Sequence, residues 1–315
     1  NEANNQVFWV GSENSQNYFE GLLSYFAFVD GTQEAPTIFG ETDSTTGSWK
    51  IKTTITPSSA WGTNGFLILK DGNSVTDSSS NSNNFAVNAG TLTDAEDCPS
   101  NVFATLNPLV RSTTGTYSQG NNTWTDTGGN YVTSFSTLGL FKGQGKYYCE
   151  FKVVSGSSVV LGIADLKDAG VYNRMELGET RYLGEYANSY GYQMSGTFYY
   201  SGNSTSSGWG AYTSSNVVGM AVDMDNMKLY YHIDGTYQNS GNPTAGSGGY
   251  TIVDPIGAYH VGISVASSAA NVNFGDGVFG TTAIGSEGTN ASAVGKFEFD
   301  VPTGYTAIST NGFNL

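Results

Sequence analysis

Apolar and polar positions alternate most clearly over residues 216–235, NVVGMAVDMDNMKLYYHIDG. Val218, Met220 and Val222 alternate with Val217, Gly219 and Ala221, the period-2 pattern of a strand. Asp223, Met224, Asp225 and Asn226 then supply a turn, because Asp and Asn side chains bond their own backbone and tolerate left-handed conformations. The return strand sets Leu229, Tyr231 and Ile233 on one face and Lys228, Tyr230, His232 and Asp234 on the other. Asp234-Gly235 closes a second turn. The pattern predicts a core hairpin of a sandwich and by itself specifies no chemistry.

The same alternation, interrupted by Gly, Asn and Ser, runs through the rest of the chain. VFWVG near the start and YFEGLLSYFAFVDG after it read as two strands, which cannot form a domain alone. Residues 36–110 read as a connector with short strands. In it, WGTNGFLILKDG carries a hairpin signal, Asn64-Gly65 before an apolar run, and SVTDSSSNSNNF reads as loop. From residue 111 onward, TYSQG, NNTWTDT, GKYYCEFKVV, SSVVLGIAD, AYHVGISVA, ANVNFG and KFEFDVP are strand signals at short spacing, as in an antiparallel sandwich. The expected fold class is all-β. The expected organisation is 1–35, 36–110 and a larger domain at 111–315, with an insert at 165–215.

Composition narrows the function classes. The chain has 315 residues, with 42 Gly, and its 20 Tyr outnumber its 12 Lys plus Arg. Its net charge of −15 repels phosphate backbones and anionic membrane surfaces, so neither nucleic acid nor membrane insertion is an expected partner. No apolar run approaches the ~20 residues needed to span a bilayer. The start at Asn1 reads as that of a processed or truncated chain.

Candidate chemistry is sparse. His232 and His260 both fall inside strand patterns with no GxSxG elbow, so a nucleophilic triad is not expected. Cys149 alternates with Tyr147, Phe151 and Val153 and reads as a buried thiol; a Cys98–Cys149 bridge is an open alternative. Asp223 and Asp225 with Asn226 are weak Ca²⁺ candidates, as is the Asx-rich loop of Asp71, Asn73 and Asp77, but a turn wants the same residues. Glu176, Glu179 and Glu185 are the one carboxylate group suited to glycoside hydrolysis, against a solvated loop face. No cofactor is expected. The insert is the strongest enrichment: Tyr182, Tyr186, Tyr190, Tyr192, Tyr199, Tyr200, Trp209 and Tyr212 lie among Gly, Ser and Asn. Rigid aromatic rings with adaptable polar neighbours suit a glycan, a protein partner or a subunit interface.

Three resemblances add expectations. VFWVGSENSQNYFEGLLSYFAFVDGT resembles the closing strands of a laminin-G/concanavalin-A-like jelly roll, with Phe19-Glu20-Gly21 as the aromatic–acidic–Gly step and Ser24 where many members carry an acid. FGETDSTTGSWK, WGTNGF, DSSSNSNNF and PSNVFATLNPL resemble, in that order, a connector of virion proteins of marine tailed bacteriophages. GKYYCEFKVV, VVLGIAD, the hairpin above, YHVGISV, VNFGDGVF and FEFDVPTGYTAI resemble a SPRY domain, with Asp234 where Asn is usual before Gly235. These resemblances imply a non-enzymatic virion surface protein, a tail fibre or other appendage. It would contact other virion proteins, self-associate, and recognise a host-surface glycan or protein. An architectural decoration or fibre subunit and a glycan depolymerase are the alternatives.

Overall fold

The structure, a computed structural model, describes residues 8–12, 17–19, 21–44, 47–70, 75–88, 92–112, 114–168 and 181–315. The chain divides into two compact units, residues 1–100 and 101–315. Among the described residues no helix is long and apolar enough to cross a membrane; the two helical segments are three-residue 3-10 turns.

The first unit holds four short strands, β1 (Phe26–Phe28), β2 (Gly40–Thr42), β3 (Trp49–Ile51) and β4 (Phe66–Ile68). β2 and β3 form a hairpin. β4 pairs antiparallel with β1, Phe26 opposite Ile68, so the Asn64-Gly65 signal leads into a strand but not into a local hairpin. The reason lies at Asp30, whose carboxylate accepts the Asn64 backbone N–H at 3.1 Å and its side-chain amide at 2.9 Å and so ties the turn to the end of β1. Asp77, from the polar run, acts as a second hub. Its carboxylate accepts the N–H groups of Leu67, Ser79 and Asn83 and the Ser79 hydroxyl. These donors hold its carboxyl below the usual range even though burial pushes the other way.

The second unit contains β5 (Leu106–Arg111), β6 (Thr116–Ser118), β7 (Thr123–Asp126), β8 (Val132–Leu140), β9 (Lys146–Ser155), β10 (Val159–Asp165), β11 (Ser189–Gln193), β12 (Phe198–Tyr200) and β13 (Asn203–Thr205). It continues with β14 (Val217–Asp223), β15 (Lys228–Ile233), β16 (Thr236–Tyr237), β17 (Tyr250–Thr251), β18 (Tyr259–Val265), β19 (Ser268–Asn273), β20 (Val278–Phe279), β21 (Thr282–Ala283) and β22 (Thr306–Ala307). A seven-stranded sheet runs β13-β12-β11-β10-β18-β8-β5, and a nine-stranded sheet runs β16-β15-β14-β9-β19-β7-β6 with β17 on β15 and β22 on β9. β22 is parallel to β9; the other strand pairings among the described residues are antiparallel. Pro108 sits in β5, at a sheet edge where its missing N–H costs no ladder bond. The chain is therefore an all-β antiparallel sandwich over its larger unit.

One core lies between the sheets. The 216–235 hairpin forms in the expected register: Val218 opposes Ile233, Met220 opposes Tyr231 and Val222 opposes Leu229. Its partner β9 brings Phe151 and Cys149 against Val218 and Met220. Cys149 is fully buried and Cys98 half-buried; both are free thiols, and no bridge joins them. Asp234 and Gly235 take φ of 47° and 79°, the left-handed pair that a tight hairpin turn needs.

The insert, whose Gly, Ser and Asn have the composition of a loop, contains β11, β12 and β13, which extend the seven-stranded sheet. One expectation changes: KFEFDVP forms no strand. Its Glu298 and Phe299 N–H groups, which a ladder would use, donate instead to the side chain of Glu150. The unit's two ends meet: Phe103 bridges Ser309, and Ala104 N–H donates to Ile308 O at 2.9 Å.

Candidate functional site

The outer face of the seven-stranded sheet starts from a row of glycines. Gly191, Gly162 and Gly262 oppose one another across β11, β10 and β18, and Phe135 of β8 continues the row. With no Cβ in the way, backbone and side chains can approach the sheet closely. The loop at 181–188 does so. A Cβ on Gly191 would overlap the Leu183 carbonyl, and one on Gly262 would sit 2.8 Å from the Phe135 ring and 3.2 Å from Leu183. Leu183 and Tyr186 thus pack with Phe135, Val160 and Ala164 in a second apolar cluster. Ser264 Oγ accepts the Leu183 N–H at 3.1 Å, and Ser189 Oγ accepts the Gly184 and Tyr186 N–H groups.

The eight aromatic candidates of the insert separate by placement. Tyr186, Tyr190, Tyr192, Trp209 and Tyr212 are buried. Tyr190 and Tyr192 point into the core from β11 because they alternate with Gly191 and Gln193. Tyr192 lies 5.1 Å from Tyr212 and 5.2 Å from Tyr231, and Trp209 stacks on Phe198 at 4.4 Å. Burial raises the Tyr192 and Tyr212 phenols. These rings are packing rather than contact surface, each contributing about 2 kcal/mol of burial. Tyr200 is half-buried and leans on Phe198 and Tyr250 at the edge of that core.

Tyr182 and Tyr199 remain half-exposed. Tyr199 alternates with the core residues Phe198 and Tyr200 and so faces away from the core. The Tyr182 ring touches Tyr199 at 4.9 Å and Tyr131 at 4.7 Å, which makes a strip of three rings. Gln193 borders it. Its amide donates to the Tyr131 hydroxyl at 3.0 Å, and its carbonyl accepts from Ser195 Oγ at 2.8 Å and from the Tyr199 hydroxyl at 3.4 Å. Burial, then the Tyr199 hydroxyl and the Glu185 carboxylate, raise the Tyr182 phenol, so it stays protonated as a donor. Tyr131 escaped the sequence reading because it precedes β8, far from the insert in the chain. Its only local signal is the Gly-Gly-Asn turn before it.

The other candidates are structural where they are described. Asp223 is fully buried. It accepts the Asp225 and Asn226 N–H groups and the Asn226 amide, and pairs with Lys146 Nζ at 3.0 Å. Burial works to raise its carboxyl, but these donors and the ammonium hold it below the usual range. Asp225 accepts Gly145 N–H at 2.9 Å. The Asp223 carboxylate thus closes the hairpin turn, and the Asp225 carboxylate ties that turn to the loop before β9. Among the described residues no group of three or more His, Cys, Asp or Glu could hold a metal ion. Glu185 accepts the Tyr182 N–H of its own loop at 3.3 Å; Glu176, Glu179, Asp71 and Asn73 lie outside the described residues.

A polar chain on the opposite sheet was not expected. Glu150 is fully buried. It accepts the Glu298 and Phe299 N–H groups, each at 2.8 Å, and the Tyr148 hydroxyl at 3.0 Å. His232 Nδ1 accepts the Gly235 N–H at 3.0 Å, which assigns the ring proton to Nε2. That N–H donates to the Tyr148 oxygen at 2.6 Å. Gly219, opposite both Glu150 and His232, leaves the space in which the imidazole lies. Burial pushes the Glu150 carboxyl up to about 7 against its three donors and pushes His232 down to about 4.

No protein-family model matches the chain, and no curated protein sequence matches it. Among solved structures, the SPRY domain of human HERC1 is similar to it with a TM-score of 0.41 and 11% identity, covering 53% of this chain and 96% of that one. A second human SPRY domain is similar with a TM-score of 0.36 and 12% identity, covering 48% of this chain and 90% of that one. The fold stands on the sheet order and register described above.

Proposed function

We propose that this protein is a non-enzymatic recognition protein of a virion surface, a tail fibre or other appendage. In this reading it engages a host-surface glycan or protein through Tyr131, Tyr182 and Tyr199. One observation carries the site: three half-exposed rings in a strip, Tyr182 touching both Tyr131 and Tyr199, bordered by the Gln193 amide and the Ser195 hydroxyl. Ring faces match the C–H faces of sugars, and the amide and hydroxyls match their edges. The virion setting is supported by the ordered motifs of residues 39–109. Binding of the purified chain to host cells and to arrayed host glycans tests the reading. Tyr182→Ala and Tyr199→Ala, with folding checked by circular dichroism, are expected to reduce binding at least tenfold. Undiminished binding by both variants sinks the site.

A second reading, an architectural subunit held by protein–protein contacts, is favoured by the first unit. There Phe8, Tyr18, Phe19 and Leu22 are 49%, 50%, 54% and 56% exposed, apolar surface that association with a neighbouring subunit would cover. Light scattering on the purified chain separates the two, since this reading requires an oligomer that resists dilution.

A further inference from the structure

The outer face of the nine-stranded sheet carries a cleft of about 600 Å³, within the size range of small-molecule sites. It is independent of the tyrosine strip, being lined by His232, Tyr237, Asn242, Glu298, Phe299 and Asp300 among others. His232 forms its floor. The Tyr237 ring meets the imidazole edge-on at 5.2 Å, and the Phe299 ring meets it at 5.4 Å. The result is an aromatic cup.

Two observations say what chemistry suits the cup. Among the described residues that line it, the charged ones are Glu298 and Asp300, with no Lys or Arg. Asp300 stays ionised, because Thr289 donates both its backbone N–H and its hydroxyl to Oδ1, at 2.7 and 2.8 Å, and holds the carboxyl below the usual range. Separately, the Tyr237 hydroxyl is buried with no hydrogen-bond partner among the described residues. Such an orphan costs about 1–3 kcal/mol unless a water or ligand satisfies it. Burial, then Glu150 and Asp300, raise this phenol, so it is a neutral donor with acceptor capacity to spare.

We propose that this cleft binds a free organic ammonium compound. The cation would lie against the Tyr237 and Phe299 rings and opposite the Glu298 and Asp300 carboxylates. A cation over an aromatic ring gains from the ring quadrupole, most when the site is partly desolvated. The nearby carboxylates and the net charge of −15 add attraction without steering to a particular ring. His232 is neutral above about pH 4, so the floor does not repel the ligand at neutral pH.

The probes are choline and its uncharged isostere 3,3-dimethylbutan-1-ol, titrated into the full chain at pH 7 and followed by ligand-observed NMR. Choline is expected to saturate, with the neutral isostere at least tenfold weaker. Phe299→Leu and Glu298→Gln are each expected to weaken choline several-fold, while Tyr182→Ala leaves it unchanged. Glu298→Gln keeps the backbone N–H that Glu150 accepts, so it remains informative if Phe299→Leu fails to fold. Equal binding of the two probes, no saturation by choline, or undiminished binding by Glu298→Gln would each overturn the proposal.

Discussion

The two sheets of the larger unit bury their outer faces by opposite means. On the seven-stranded sheet, side chains are removed: Gly191, Gly162 and Gly262 form a trough into which Leu183 and Tyr186 pack dry. On the nine-stranded sheet, side chains are added and hydrogen-bonded: Glu150, Tyr148 and His232 form a polar chain beneath the segment that carries Phe297 and Phe299. The trough is stabilised by close contact and by the Ser264 and Ser189 hydroxyls that accept the N–H groups of its loop. The polar chain is stabilised by donors matched to acceptors, and two of its members titrate. One sandwich thus has a steric face and an electrostatic face.

Breaking the steric face should have the largest effect. Gly191→Ala places a methyl group on the Leu183 carbonyl, which is backbone and cannot rotate away. A loss of about 3 kcal/mol in urea denaturation is expected, from overpacking. Gly285→Ala, where nothing lies within 4 Å, is the control and should change stability by less than about 0.5 kcal/mol.

The electrostatic face should show itself through pH. The Glu150 carboxyl is raised from 4.5 to about 7. Folding therefore favours its protonated form. The group carries no penalty below about pH 4.5, and stability falls as pH rises towards 7, by about 3 kcal/mol in all. His232 is lowered from 6.5 to about 4. Its contribution is present above 6.5 and is lost as pH falls through 4. Between about 4.5 and 6.5 these two slopes oppose each other and their sum is a plateau; His260, also lowered by burial, adds a slope common to wild type and variant. His232→Gln removes one slope and should uncover a decline of up to about 3 kcal/mol between pH 4.5 and 7, read from denaturation midpoints. A plateau that persists in the variant would mean that Glu150 is not the titrating partner.

A smaller effect is expected at Gly219, where the neighbour of an added Cβ is the His232 side chain and not backbone. Gly219→Ala should displace the imidazole from Tyr148 and cost about 1–2 kcal/mol, the order of one lost buried hydrogen bond. Loss of the slow-exchanging His232 Nε2 proton in NMR checks it.

Much of this architecture was legible in the sequence, because strand alternation is local. Val218 to Val222 and Leu229 to Ile233 fix a hairpin within twenty residues, and Asp223 and Gly235 mark its turns. The insert was harder. Tyr190-Gly191-Tyr192 is itself an alternating triplet, but Gly, Ser and Asn around it carry the composition of a loop, and only its pairing with β10 makes it a strand. That pairing turns the most conspicuous tyrosines inward and leaves Tyr182 and Tyr199 to meet Tyr131, a neighbour set by folding alone. Glu150 stood out only as the acidic position that ends the Gly145-Lys146-Tyr147-Tyr148-Cys149-Glu150 motif of the SPRY resemblance, which gave it no partner. Its role depends on two N–H groups at 298 and 299, which no periodicity links to it.

The meeting of Phe103 with Ser309, and of Ala104 with Ile308, also has a temporal meaning. The unit's earliest residues find their partners in its latest ones, and the same late segment covers Glu150. Contacts of such long sequence separation make folding slow. During synthesis, therefore, the polar chain on β9 stays open to water until residues 298 and 299 emerge, and the unit should acquire its stability only once residues 308 and 309 have followed.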